Sequence, residues 1–145
     1  MTRTLAALFA TCIAAAPAFA DGHGGPGDAA AGEKTFNKCK SCHMIVSDAG
    51  DEIVKGGRTG PNLYGVIGRQ AGSADFRYGD DLVAAGEAGL VWDAANLAEY
   101  VADPRAFLRT YLDDSKAKSK MTYKLKKGGE DVAAYLASVA PAPES

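Results

Sequence analysis

The sequence predicts an all-α domain with long loops. Three observations carry that prediction: apolar residues recur at spacings of three and four in several separate stretches, these stretches open on an aspartate or a glycine pair, and none shows the alternation of a half-buried strand. The first helix is expected after Asp28, a good cap, and runs through Ala29, Gly32, Phe36 and Cys39, with Gly32, Phe36 and Cys39 along one face. From Ser47 to Gly72 glycines and Pro61 interrupt any period, so a long loop with at most a turn of helix is expected. A loop of that length in a small domain usually wraps something. A short helical piece is expected around Asp81 to Ala85. Asp93 caps the next helix, whose Leu97, Tyr100 and Val101 share a face and which must stop before Pro104. Asp103-Pro104 restarts the pattern as cap and first helical residue, carrying Phe107, Leu108 and Tyr111. The most regular helix follows Gly128-Gly129, with Val132, Tyr135, Leu136 and Val139 at helical spacing up to Pro141.

The ends stand apart from this body. Arg3 is followed by an almost wholly apolar run from Leu5 to Ala16, too short for a permanent bilayer-crossing helix, and then by the small-x-small site Ala18-Phe19-Ala20. Residues 1–20 therefore read as a cleaved secretory signal peptide and the protein as exported to the periplasm. An uncleaved anchor fits the short run poorly, and Phe9-Ala10-Thr11 is a poor setting for lipid attachment at Cys12. Residues 21–145 are long enough for one domain, with 21–28 and 141–145 as mobile ends. Removing Arg3 with the leader takes the net charge from −2 to −3, which excludes a generally basic, nucleic-acid-binding protein. It also removes Cys12, leaving Cys39 and Cys42 as the only cysteines in an oxidising compartment. No membrane span is expected in the mature chain, and a monomer is.

Cys39-Lys40-Ser41-Cys42-His43 is the informative segment. Two thiols three apart can add to the two vinyl groups of a haem while the following imidazole reaches its iron, so one covalently attached haem c is expected, on Cys39 and Cys42, with His43 as axial ligand. A thioredoxin-like pair would need a βαβ surround that this chain lacks, and a structural zinc site would need four ligands from a set that offers only these two thiols, His43 and the lead-in's His23. A plain disulfide would leave His43 and the oversized loops unexplained. A second axial ligand is needed if the iron is to carry electrons rather than bind small ligands. Met1 leaves with the leader and Met44 directly follows His43, so Met121 is the candidate; a core-filling methionine, or His23 on the iron, are the alternatives. A thioether raises the reduction potential relative to a second histidine.

At this point the residues resemble class I cytochromes c, most of all the bacterial cytochrome c2 group, over nearly all of the mature chain. The motifs that carry the resemblance are Cys39 to His43, Gly60-Pro61-Asn62-Leu63-Tyr64-Gly65, Gly68-Arg69, Trp92, Tyr100 to Pro104 and Lys120-Met121-Thr122. The resemblance implies a class I cytochrome c fold wrapped around one haem. It also implies that the Pro61 carbonyl accepts the other imidazole N–H of His43, which orients the ring. Arg69, Tyr78 and Trp92 match positions that satisfy the haem propionates, Tyr100 matches a tyrosine beside the methionine sulfur, and Gly32, Phe36, Tyr135 and Leu136 match a crossing of the first and last helices. Extra residues at about Tyr111 to Lys118 blur the transfer there, and Ser119 stands where a hydroxyl near a propionate is expected.

Between Ser115 and Lys127 lie Lys116, Lys118, Lys120, Lys124, Lys126 and Lys127, without an acid among them. In an acidic protein this run makes a dipole and, with Lys40 and also Lys38 and Lys55, a basic rim suited to transient docking on acidic partners, at rates that fall with salt. The resemblance implies an electron carrier, not an enzyme, between a cytochrome bc1 complex as donor and a photosynthetic reaction centre or cytochrome oxidase as acceptor. The rival from another class is a haem enzyme or ligand sensor, which would need an open or displaceable sixth iron position.

Overall fold

Asp28 opens the first helix, α1 (Ala29–Phe36), by accepting the N–H groups of Ala30 and Ala31 on one carboxylate oxygen at 2.8 and 3.1 Å. The structure, a computed structural model, describes residues 27–140. The expected signal peptide at 1–20, His23 with the rest of 21–26, and the expected tail at 141–145 lie outside the described residues. α1 ends at Phe36, earlier than its apolar spacing suggests, because the chain tightens: Cys39 N–H reaches back only three residues to the Phe36 carbonyl, at 2.8 Å.

The expected loop after Ser47 is more ordered than its glycines suggest. Two short strands, β1 (Ile45–Val46) and β2 (Glu52–Val54), pair antiparallel with Ile45 opposite Val54 and an irregularity between Ile45 and Val46. Two and three residues are too few for an alternating pattern to register in the sequence, although the β-branched residues suit a strand. The architecture is otherwise helical: α2 (Asp80–Glu87), α3 (Ala94–Ala102), α4 (Pro104–Tyr111) and α5 (Gly129–Ser138). Asp93 and Asn96 form a reciprocal capping box at the start of α3, and Asp103 caps α4 by accepting the Ala106 N–H at 3.1 Å, with Pro104 at the first helical position.

The first and last of these helices meet where α1 packs against α5. Gly32 makes this possible, since a Cβ there would run into the Asp131 carbonyl and the Tyr135 Cβ. One turn on, the fully buried Phe36 meets the Tyr135 ring at 5.7 Å between centroids, and Asp131 accepts the Asp28 N–H at 2.9 Å. Truncating a ring buried this fully typically costs about 3–5 kcal/mol. α3 lies on the same helix, with Gly129 close against the backbone of Ala98. Among the described residues no helix is long and apolar enough to cross a membrane. The core continues through Ile45, Val66, Leu90, Trp92, Leu97, Leu108 and Leu125, and of these Val66, Trp92 and Leu97 line a central cavity that the core leaves unfilled.

Candidate cofactor site

That cavity has a volume of about 340 Å³, within the range of sites that hold small molecules and cofactors. Its walls come from segments far apart in the sequence: Cys39, Cys42 and His43 after α1, Leu63 and Val66 from the following loop, Leu82 on α2, Trp92 and Tyr100 around α3, Met121 between α4 and α5, and Leu136 on α5.

The wall after α1 is built by short-range backbone bonds. His43 N–H donates to the Cys39 carbonyl at 2.9 Å, and Cys42 N–H to the same oxygen at 3.1 Å, so both thiols and the imidazole sit on one tight turn. The next loop folds back on this turn: Gly57 N–H donates to the Lys40 carbonyl and Gly60 N–H to the Cys42 carbonyl, each at 2.8 Å. Gly60 lies against the His43 ring, where any Cβ would collide with the imidazole. Pro61 then places its carbonyl 2.9 Å from His43 Nδ1, which makes Nδ1 the protonated nitrogen and leaves Nε2 as the lone-pair donor. Burial pulls the His43 pKa down, partly offset by the Pro61 bond. Burial pushes the Cys39 thiol up, whereas hydrogen bonds from Thr59 and Ser41 hold the exposed Cys42 thiol down. Asn62, named in the sequence only as part of a motif, organises this wall. Its side chain accepts from Val46 N–H and Tyr64 N–H and donates to the Val46 carbonyl, at 3.0, 3.1 and 2.7 Å.

The other expected residues converge on the cavity. Arg69 donates to the Tyr64 and Asn62 carbonyls at 3.1 and 3.2 Å, so its fork braces the loop that carries Pro61. Tyr78 is partly buried, which pushes its phenol up, and its ring meets Phe76 edge-on. Trp92, almost fully buried, packs on Tyr100 at 5.0 Å and on Phe107 at 6.1 Å. Burial also raises the Tyr100 pKa, and its hydroxyl meets the Ser119 hydroxyl at 3.4 Å. Met121 is partly buried in the segment after α4. Lys120 beside it donates from Nζ to the carbonyls of Arg77 and Tyr78, at 3.1 and 2.9 Å.

No family model matches the sequence. Individual relatives do: the chain is 78% identical over 139 residues to cytochrome c-551 of Roseobacter denitrificans, covering 96% of each, and 59% identical to cytochrome c2 of Rhodobacter capsulatus, covering 92% of this chain and 94% of the other. The solved structure of Rhodobacter capsulatus cytochrome c2 superposes with a TM-score of 0.77 at 62% identity, covering 78% of this chain and 98% of its own. Ferric cytochrome c-550 of Paracoccus versutus gives the same TM-score at 53% identity, covering 79% and 99%. The chain belongs to the cytochrome c2 family. As a class I cytochrome c it is an electron carrier, not an enzyme, and carries one covalently attached haem c, with Cys39 and Cys42 as the paired cysteines of the attachment motif.

The residues present fit that group. Two thiols, an imidazole and a thioether open on one largely apolar cavity, whereas no cluster of three or more His, Cys, Asp or Glu side chains able to hold a bare metal ion occurs among the described residues. The lysine run in this cytochrome is less uniform than its sequence. Lys38, Lys118 and Lys120 border the cavity, and Lys40, Lys116, Lys126 and Lys127 are exposed. Lys120, however, is tethered to two carbonyls and Lys124 is ion-paired with Asp103, so an acid from outside the run answers one of its charges. Sequence reasoning missed Thr59 beside Cys42, and Val66 and Leu82 in the wall, which only their apolar character marked; Leu63 was named only as part of a motif.

Proposed function

We propose that this cytochrome is a diffusible periplasmic one-electron shuttle with His43 and Met121 as the axial ligands of its iron. In this reading residues 1–20 are the export signal and 21–145 the mature domain. It takes electrons from a cytochrome bc1 complex and passes them to a photosynthetic reaction centre, a cytochrome oxidase or both. The observation that carries the ligand set is the His43 Nδ1 bond to Pro61, which commits Nε2 as lone-pair donor in the same cavity that Met121 enters. When attached, haem c supplies the one-electron couple of its iron. The chain's own residues do the rest. Pro61 orients the imidazole and keeps it a firm donor, and the thioether favours the ferrous form. The apolar wall of Leu63, Val66, Leu82 and Leu136 keeps water away and disfavours the more highly charged ferric state. Arg69, Tyr78, Trp92 and Tyr100 face the same space and serve the propionates and the sulfur side.

Met121→Ala should abolish the near-infrared methionine-to-iron band of the oxidised protein, and survival of that band overturns the assignment. Lys40, Lys116, Lys118, Lys126 and Lys127 supply the docking face, with Lys120 and Lys124 contributing less because each has an internal partner. Neutralising Lys116, Lys118 and Lys126 should slow reaction with an acidic partner several-fold at low salt and little at high salt. A rate independent of both removes the docking proposal.

A further inference from the structure

A stack of aromatic rings runs from the haem cavity to solvent. Trp92 and Tyr100 line the cavity, are buried, and lie 5.0 Å apart between centroids. Phe107 on α4 does not line the cavity but packs on both, 6.1 Å from Trp92 and edge-on to Tyr100 at 5.7 Å. Tyr111, one turn further along α4, stacks on Phe107 at 5.9 Å with the planes 15° apart, and 40% of it is exposed. We propose that this stack is an electron exit through which the reduced cytochrome quenches small one-electron oxidants, organic or inorganic radicals, that strike Tyr111.

The chemistry of each ring fits its place. A phenol gives up an electron readily only when it can also release its proton, and Tyr111 meets water, whereas Tyr100 is buried against the Ser119 hydroxyl. An indole passes an electron without first losing its proton, which suits the buried Trp92. The Phe107 ring is too hard to oxidise to hold the charge itself, so it serves as the contact that couples Tyr111 to the two inner rings. The centroid separations are those of directly packed aromatic pairs. The step balances. An oxidant radical takes one electron from Tyr111, whose phenol proton passes to water. The phenoxyl radical then draws one electron, through Phe107 and the inner rings, from the reduced haem and takes a proton back from water. One oxidant is reduced, one electron leaves the cytochrome, and Tyr111 is restored. The exposed part of one ring is far too small to seat a protein, so the oxidants it meets are small. The inference rests on the haem occupying the cavity and not on its axial ligands or protein partners.

The test exposes haem-loaded protein, either reduced or fully oxidised, to azide radicals from pulse radiolysis, at a dose far below the protein concentration and with a nitroso spin trap present. Peptide mass spectrometry then reads the trap adduct on Tyr111. Oxidised protein has no electron to send outward, so the adduct should be severalfold more abundant in it than in reduced protein. Phe107→Leu removes the bridging ring and should lower that ratio severalfold, whereas Phe107→Tyr keeps a ring and should keep the ratio. Equal trapping in the two oxidation states of the parent, a Phe107→Leu ratio like the parent's, or a Phe107→Tyr ratio near one each overturns the inference. Each arm compares two oxidation states of the same variant, so a change in the exposure of Tyr111 cancels. The adduct reports on Tyr111 alone, so its failure is separable from survival of the near-infrared band in Met121→Ala.

Discussion

The two segments that bring sulfur and nitrogen to the cavity are held in different ways. The segment from Cys39 to Pro61 is braced by its own backbone: N–H groups of Cys42, His43, Gly57 and Gly60 all donate to carbonyls between Cys39 and Cys42. The segment around Met121 is held mainly by ties to other parts of the chain, several of them through side chains. Lys120 reaches the carbonyls of Arg77 and Tyr78, Lys118 N–H reaches the Asp81 carboxylate at 2.8 Å, and Arg109 Nε reaches the Ala117 carbonyl at 3.2 Å. Among the described residues only Leu125 N–H, on the Val101 carbonyl at 2.8 Å, gives this region a backbone anchor to α3. Each exposed side-chain tie contributes about 0.5–1.5 kcal/mol, so the Met121 side opens at a lower free energy than the His43 side. The histidine is part of the fold, and the methionine is fastened onto it.

The largest effect tests the rigid side. In Gly60→Val the new side chain occupies the space of the His43 ring, and the loop must retreat with Pro61 on it. Overpacking of this kind costs about 1–3 kcal/mol, a fall in melting temperature of roughly 5–15 °C for a domain of this size, with a lower yield of haem-loaded protein. A melt unchanged from the parent would show that the segment yields easily and would erase the contrast between the two sides.

How much of this was legible in the sequence follows the same division. Helix starts were legible because Asp28, Asp93 and Asp103 act on N–H groups two or three residues away. The attachment motif was legible because its geometry lies within five consecutive residues. The end of α1 at Phe36 was not, since apolar spacing continues to Cys39 while the bonding pattern changes beneath it. β1 and β2 were too short to show a period. The Lys120 tether was illegible for a different reason: its acceptors are main-chain carbonyls, which every residue has, and their positions follow only from the path of the chain. The lysine run read as free charge for the same cause, because Asp103 meets Lys124 only in the folded chain.

A smaller effect tests the fastened side. Lys120→Met keeps the aliphatic stem packed beside Gly79 and removes only the ammonium that bonds Arg77 and Tyr78. Loss of about 1 kcal/mol there raises the population of open Met121 segment roughly fivefold. Exogenous imidazole should then bind the oxidised protein about five times faster, with global stability changed much less than in Gly60→Val. Equal imidazole rates in variant and parent would mean that the Leu125 anchor alone governs opening.

The smallest effect concerns Asp103, which joins the start of α4 to the Met121 side through Lys124. The Lys124 ammonium, with the Ala106 N–H, holds the Asp103 carboxyl below its ordinary pKa. A carboxylate depressed in the folded state contributes stability above its unfolded pKa of about 3.9, and that contribution fades as pH falls through the lower folded value. Asp103→Asn keeps a side chain able to cap α4 and removes the charge, so it isolates the ion pair from the cap. The variant should match the parent closely at pH 2–3 and fall slightly below it from about pH 5 upward, in melts recorded at low ionic strength. Because the pair is exposed and screened, added salt should close most of that gap. A gap that persisted unchanged at pH 2–3 would place the contribution of Asp103 in its cap geometry, and the link between α4 and the Met121 segment would then be mechanical and not electrostatic.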